Sequence, residues 1–256
     1  MRPIDSALVP AAQLGPMTVL ELSNVSKSFG KGTAATRALA RVTLSVEPGA
    51  MVAVMGPSGA GKSTLLTIAG GLEDPDEGEV IVGGAPLSRM SRNGKARLRR
   101  RVIGYVFQDY NLLPGLTAAE NVSLPLELDG VPARKARAAG MAALDRLGLA
   151  SRAGRYPDQL SGGERQRVSI ARAVVGERRL LLADEPSGAL DSANGEAVMD
   201  LIRAACARGV AALVVTHDAH LAARASRIVS ITDGRLVSHA GRMAVTRDDV
   251  PTGEDQ

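Results

Sequence analysis

The chain is poor in aromatic residues and contains a single cysteine. Of its 256 residues, 2% are aromatic, with no tryptophan, 3 tyrosines and 2 phenylalanines. The core must therefore be built from aliphatic side chains, and a protein that stacks the bases of a single nucleic-acid strand on aromatic rings is disfavoured. The lone cysteine, Cys206, excludes an internal disulfide and a zinc site made of cysteines, and it favours a reducing compartment.

Long apolar runs and strong charge are also lacking. No uncharged apolar stretch reaches the roughly 20 residues that span a bilayer, and the amino end shows no basic stretch followed by an apolar core. The formal net charge of +4 suits a phosphate ligand or an anionic membrane face, and is too small to indicate nucleic acid. We therefore expect a cytoplasmic protein with no nucleic-acid partner.

Strand and helix patterns alternate along most of the chain. Residues 17–242 are predicted to form one α/β domain between flexible tails at 1–16 and 243–256. Near the amino end, apolar alternation over 42–46 follows an earlier strand pattern, and a Gly-rich excursion over 30–36 separates the two. We predict an antiparallel β subdomain there.

The rest of the domain has the pattern of a parallel sheet with an inserted helical block. Continuous apolar runs over 50–55, 180–183 and 210–216 predict buried parallel strands. Helical signals dominate about 90–160, including a capping box at Thr117 and Glu120. The chain is predicted to close with a hairpin about Asp233 and Gly234.

A glycine-rich segment between the apolar run at 50–55 and a helical stretch matches the phosphate-binding pattern G-x-x-x-x-G-K-S. This phosphate loop consists of Gly56, Pro57, Ser58, Gly59, Ala60, Gly61, Lys62, Ser63 and Thr64. Glycines let the backbone N–H groups curl around a polyphosphate, and the positive end of the following helix adds to the field. Lys62 is expected to reach the β- and γ-phosphates of ATP, and the Ser63 hydroxyl to ligate Mg²⁺.

Two acids follow the apolar run at 180–183. Asp184 and Glu185 are therefore predicted at the carboxyl edge of the sheet, beside the phosphate loop. Asp184 is expected to hold Mg²⁺ through water, and Glu185 to act as the general base that activates the attacking water.

The segment Leu160-Ser161-Gly162-Gly163, upstream of that strand, resembles the signature of the ABC-transporter ATPases. The resemblance covers about Thr18 to Arg242 and implies an α/β fold: a P-loop (RecA-like) core with an N-terminal antiparallel β subdomain and an inserted α-helical subdomain. It implies a role for each matching position outside the phosphate loop and the acid pair. These are Ser161, Gly162 and Gly163 at a γ-phosphate, Gln108 as the Q-loop glutamine and metal ligand, Asp191 in the D-loop, His217 as the switch histidine, and Phe29 against adenine.

The family pattern further implies a head-to-tail homodimer with ATP between the phosphate loop of one copy and the signature of the other. The segments Leu113–Val122 and Gly70–Leu72 resemble the lipoprotein-releasing and macrolide-exporting subfamily. That resemblance implies a separate membrane permease docking near Gln108 to Gly115, and a peripheral position on the inner face of the membrane.

Other interpretations remain open at this point. Outside this motif set, His217 and Gln108 would be ordinary surface residues and Phe29 a core residue. A mechanotransmission ATPase that regulates cell-envelope enzymes would have the same cassette residues. A non-transport ABC protein acting on DNA or ribosomes would normally need two cassettes or a long coiled coil, and neither pattern is found.

Overall fold

The computed structural model describes residues 18–30, 36–187 and 192–238, so the predicted tails and residues 31–35 of the predicted excursion over 30–36 lie outside the described residues. The strands are β1 (Leu20–Phe29), β2 (Thr36–Val46), β3 (Met51–Met55), β4 (Glu77–Val82), β5 (Ala85–Pro86), β6 (Ile103–Val106), β7 (Leu180–Asp184), β8 (Ala211–Val215), β9 (Arg227–Thr232) and β10 (Arg235–Ser238). The helices are α1 (Lys62–Ala69), α2 (Arg92–Arg101), α3 (Ala118–Glu127), α4 (Ala133–Arg146), α5 (Gly162–Val174), α6 (Ser192–Cys206) and α7 (Ala219–Ala222).

A sheet with the strand order β10-β9-β3-β8-β7-β6 forms the centre of the domain. Strands β9, β3, β8, β7 and β6 run parallel, and β10 pairs antiparallel with β9. The predicted hairpin is confirmed, because Arg235 pairs with Thr232 and leaves Asp233 and Gly234 as a two-residue turn. The apolar run at 180–183 becomes β7, as predicted for a parallel strand covered on both faces.

The two faces of β7 belong to two different parts of the core. Leu180 and Leu182 pack in a cluster that contains α1 and the antiparallel strands β1, β2 and β4. Leu181 and Ala183 pack in a second cluster with α5 and α6. The parallel sheet is thus the middle layer, which explains why β7 and β8 lack the polar alternation of a half-exposed strand.

The predicted antiparallel sheet has the strand order β2-β1-β4-β5 and carries the alternating apolar residues of the amino-terminal region. In β2, Val42, Leu44 and Val46 are buried, whereas the residues between them are at least partly exposed.

Helices α3, α4 and α5, with the segments that connect them, form a third apolar cluster. Thr117 caps α3 with the predicted reciprocal hydrogen bonds to Glu120. The range about 90–160 contains α2, α3 and α4 and also β6, which pairs with β7 in the parallel sheet. None of the helices in the described ranges is both long and apolar enough to cross a membrane.

Candidate functional site

The carboxyl ends of four neighbouring parallel strands carry the predicted site residues. In sheet order, β3 leads into Gly56, β8 into Thr216 and His217, β7 ends at Asp184, and β6 leads towards Gln108. Because parallel strands present their carboxyl ends at one edge, residues far apart in sequence are gathered along a single rim.

The phosphate loop needs glycine at positions where other parts of the backbone approach. Gly61 has a φ of +102°, and a Cβ there would lie 2.1 Å from the carbonyl oxygen of Ala38. A Cβ on Gly56 would lie 2.2 Å from the carbonyl oxygen of Ile231. A larger residue at either position would displace the backbone, so these glycines fix the path of the loop.

Helix α1 begins directly after the loop with its first backbone donors unused by the helix. Its N-cap is Gly61, with no side-chain cap, and Leu65 N–H makes the first intrahelical bond, 2.9 Å to Gly61. The N–H groups of Lys62, Ser63 and Thr64 are thus available to an anion at the positive end of the helix. The Lys62 ammonium donates to the carbonyls of Gly56 and Pro57 at 2.7 and 2.9 Å, so it lies over the loop that would hold the phosphates.

Ser63 and Asp184 meet across the sheet edge. The Ser63 hydroxyl hydrogen bonds to the Asp184 carboxylate, and burial raises the pKa of that carboxyl although Ser63 and Lys62 act against the rise. Hydroxyl and carboxylate oxygens are ligands that Mg²⁺ accepts. In the described ranges no cluster of three or more His, Cys, Asp or Glu forms a metal cage. A hydroxyl and a carboxylate alone fit an ion that takes its remaining ligands from phosphates and water.

Glu185 lies against His217. The His217 Nδ1 is 2.9 Å from Glu185 Oε2, and the His217 backbone N–H donates to the same oxygen at 3.4 Å. Glu185 has a φ of +44°, which is unusual for a residue with a side chain and typical of functional positions. The Glu185 side chain is 13% exposed and that of His217 is 71% exposed. A carboxylate screened from solvent and touching an imidazole can accept a proton from water.

The signature residues begin α5. Ser161 is the N-cap, its hydroxyl accepts from Glu164 N–H at 3.2 Å, and its own N–H donates to the Glu164 carboxylate at 2.8 Å. The hydrogen bond from Arg152, followed by that from Ser161 N–H, lowers the pKa of Glu164. This capping box fixes the helix start and leaves Gly162 and Gly163 in its first turn.

The remaining predicted residues have different positions. Gln108 is exposed just beyond β6. Phe29, at the end of β1, is 46% exposed and is therefore not a core residue, and the Lys27 ammonium lies 5.5 Å from its ring centroid. Asp191 lies outside the described residues.

Sequence reasoning missed the residues that tie α5 to its neighbours. The partly buried Arg172 guanidinium donates to the carbonyl of Tyr110 at 2.7 Å and to that of Asn111, and its partial burial lowers its pKa to about 10. Arg165 lies 5.5 Å from the Tyr110 ring centroid, and the buried Gln166 amide donates to the Pro186 carbonyl. The sequence signal that could have identified these arginines is their spacing, because Arg165 and Arg172 are seven residues apart and therefore lie on the same face of the helix.

A phosphate loop before a helix, a strand ending in two acids and an imidazole against the second acid define a P-loop nucleotide hydrolase. A family model described as "ABC transporter" matches residues 39–188, more than half of the chain. The chain therefore belongs to the ABC transporter family, and it is an ABC-type ATPase domain that binds ATP, as the resemblance of its motifs implied.

Two curated relatives combine ATP-binding and permease parts. The chain is 44% identical over 238 residues to the macrolide export ATP-binding/permease protein MacB of Rhodospirillum rubrum, covering 93% of this chain and 37% of that protein. It is 44% identical over 225 residues to the pyoverdine export ATP-binding/permease protein PvdT of Pseudomonas syringae pv. tomato, covering 88% of this chain and 34% of that protein. The chain thus spans little more than a third of the length of these relatives.

The fold is also that of a solved cassette. The dimeric post-hydrolysis state of the ATP-binding cassette MJ0796 bound to ADP and Pi matches with a TM-score of 0.79 and 39% identity, covering 87% of this chain and 99% of that one. These similarities confirm the predicted fold class. They also confirm the predicted resemblance of the chain to the macrolide-exporting subfamily.

Proposed function

We propose that this domain hydrolyses ATP to drive a separate membrane permease through closure of a head-to-tail homodimer, at the inner face of the membrane. The observation that carries the proposal is the 2.9 Å contact between Glu185 and His217 beside the Ser63–Asp184 pair. A base, a metal-binding pair and a phosphate-binding loop therefore lie together at one edge of the sheet. The named export functions of MacB and PvdT and the dimeric state of MJ0796 support the same conclusion.

Nucleotide binding would begin at the phosphate loop. The N–H groups at the start of α1 would bind the β- and γ-phosphates, with Ser58, Gly59 and Ala60 supplying the curled backbone. Lys62 would exchange the carbonyls of Gly56 and Pro57 for phosphate oxygens. Phe29, already half exposed at the end of β1, would stack on adenine.

The metal-binding residues would be Ser63, Asp184 and Gln108. When bound, Mg²⁺ would offset the negative charge of the phosphates. A cation also favours the ionised carboxylate, and this opposes the burial that raises the pKa of Asp184 in its absence.

Glu185 would take a proton from the attacking water. Its carboxylate is held by His217, while its backbone N–H donates to the Val215 carbonyl at 3.0 Å and fixes the main chain at this position. The exposed imidazole of His217 would contact the γ-phosphate while its Nδ1 contacts Glu185, so that His217 would couple the γ-phosphate to the Glu185 carboxylate. Removing the γ-phosphate would then release this contact.

Dimer closure would complete the site. Ser161, Gly162 and Gly163 begin α5 with backbone donors at a helix start, which suits the γ-phosphate held by a second copy. Asp191 would lie at the same interface. Because neither half-site is complete alone, hydrolysis depends on closure, and ATP shifts the equilibrium towards the closed dimer.

The permease would dock on the helical side. A groove of about 370 Å³ has an apolar lining that includes Phe107, Leu124 and Leu128, with Asn111 and Arg100 also on its wall. The groove adjoins the loop that follows Gln108. A permease segment bound in the groove would therefore be displaced when that loop moves. Arg172 connects the same loop to α5, so the signature and the docking groove would move together.

Glu185→Gln tests the mechanism. Phosphate release should fall by roughly 10²–10⁴-fold because the general base is lost, while ATP binding is retained and light scattering shows an ATP-dependent dimer. Glu177→Gln, at an exposed glutamate outside the site, is the matched control and should hydrolyse normally. Persistent hydrolysis in Glu185→Gln would mean that another residue activates the water.

Purification from membranes tests the partner. The protein should co-purify with a permease, and the complex should hydrolyse ATP. Capture of ribosomes or DNA without a membrane protein would contradict the transport function.

A further inference from the structure

One of the two residues in the β9–β10 hairpin turn is buried, which is unusual for a hairpin tip. Asp233 and Gly234 join β9 to β10 with φ values of +48° and +71°. A two-residue turn with both φ values positive favours Asp-Gly, and such tips normally face solvent. Here Asp233 is exposed, whereas Gly234 is buried. The tip is therefore packed against another part of the molecule.

That part is the phosphate loop, which the hairpin contacts at two points. Gly234 N–H donates to the Ala60 carbonyl, in the middle of the loop, at 3.2 Å. At the first residue of the loop, the Ile231 carbonyl of β9 faces Gly56, where an added Cβ would lie only 2.2 Å from it. Backbone from β9 and its turn thus contacts the first half of the loop.

Strand β2 packs into the same junction. Ala40 N–H donates to the Gly234 carbonyl at 2.8 Å. The Ala38 carbonyl oxygen would lie 2.1 Å from a Cβ on Gly61 and 2.8 Å from a Cβ on Gly234. Three backbone segments therefore meet with no room for a side chain between them, and a shift in the hairpin turn must be transmitted to the loop.

We propose that the β9–β10 turn is a positioning element for ATP binding: it holds the phosphate loop in its anion-binding conformation before the nucleotide arrives. The loop uses left-handed glycine conformations that an unsupported chain would leave readily. Contacts that hold a binding loop in its bound shape raise affinity because less ordering is required on binding. This inference rests on the proposed binding of ATP at the phosphate loop.

Gly234→Ala tests the proposal, with Gly209→Ala as the matched control. Gly209 has a φ of +94° and lies in a turn where an added Cβ would meet nothing within 4 Å. Both variants place alanine in a left-handed turn, so both should lose some thermal stability. Gly234→Ala alone presses on Ala38, and it should raise both the Kd of a fluorescent ATP analogue and the KM for ATP roughly tenfold. The kcat at saturating ATP should stay within about twofold of wild type, because the catalytic residues are untouched.

A second pair of variants acts from the exposed side of the turn. Asp233→Ala weakens the left-handed preference and should raise the KM about threefold, whereas Asp233→Asn keeps that preference without the charge and should match wild type. This pair keeps the test decisive if Gly234→Ala fails to fold.

The possible outcomes distinguish failure of the positioning role of the turn from failure of the proposed ATP-binding function. If Gly234→Ala loses stability like Gly209→Ala but binds ATP like wild type, the turn is only structural and the proposal is overturned. Equal effects of Asp233→Ala and Asp233→Asn would also overturn it. If the wild-type protein binds no ATP, the proposed function fails instead.

Discussion

Asn121 lies fully buried in α3, where its side chain holds the segment that leads into the helix. Its Oδ1 accepts from Leu113 N–H at 2.8 Å, and its Nδ2 donates to the carbonyls of Leu113, Leu116 and Thr117 at 3.1, 3.0 and 3.1 Å. This segment follows Gln108 and belongs to the proposed permease-docking surface. Asn121→Ala should therefore loosen the surface without touching the nucleotide site.

The size of the effect follows from which groups lose a partner. The Thr117 carbonyl also accepts from Asn121 N–H, and the Leu113 carbonyl from Leu116 N–H. The loss thus falls on Leu113 N–H and the Leu116 carbonyl, at about 1–3 kcal/mol each when water cannot replace the bond. Leu113 is 44% exposed, which lets water reach its backbone. Alanine has a higher helix propensity than asparagine, and this offsets about 0.5 kcal/mol of the lost stability. We expect a net loss of about 2–3 kcal/mol.

Thermal unfolding followed by circular dichroism measures this loss. For a domain of this size, the Tm should fall by roughly 4–12 °C. Asn93→Ala makes the same substitution at an exposed position of α2 and should change stability by less than about 0.5 kcal/mol. Basal ATP hydrolysis at 20 °C should persist in both variants. A Tm for Asn121→Ala within a degree of wild type would refute the reasoning.

Two further predictions concern the nucleotide site. Asp184→Asn should abolish Mg²⁺-dependent hydrolysis yet raise the Tm of the nucleotide-free protein at pH 7. Burial raises the pKa of Asp184, so the folded state holds this proton more tightly than the unfolded state. The ionised group therefore costs stability as the pH rises above the unfolded pKa, and the Tm difference should vanish below about pH 4. A Tm unchanged or lowered at pH 7 would contradict this assignment. Phe29→Ala should weaken ATP binding roughly tenfold, the effect of losing one base–aromatic stack, and Phe29→Trp should restore it. Unaltered affinity in Phe29→Ala would remove Phe29 from the adenine site.

Local motifs were predictable because contiguous residues carry them. The capping box at Thr117 and the Asp233–Gly234 turn were confirmed at the predicted positions, since each depends on the conformations of a few neighbouring residues. The continuous apolar run of β7 indicated a strand covered on both faces, and the two core clusters confirm it. The roles assigned to the individual site residues, Asp191 and the signature residues among them, remain predictions.

Contacts between distant residues were not predictable in the same way. Periodicity shows that β7 and β8 are buried, but it does not show that they are neighbours in register, as Asp184 and Val215 are. That register places Glu185 2.9 Å from His217. The same limit applies to Arg172, whose sequence context shows a helix but not the loop that it holds.

The sequence by itself determined the chemistry of this protein: a phosphate loop, two acids after an apolar strand, and a cassette signature, each written in consecutive residues. The tertiary structure decided which of these groups touch and what supports them. Gly234 appeared in the sequence as an ordinary turn glycine, and only the packing of three backbone segments placed it against Ala60. The physical reason is that a motif fixes local backbone and charge, whereas strand order and register fix the distances between motifs.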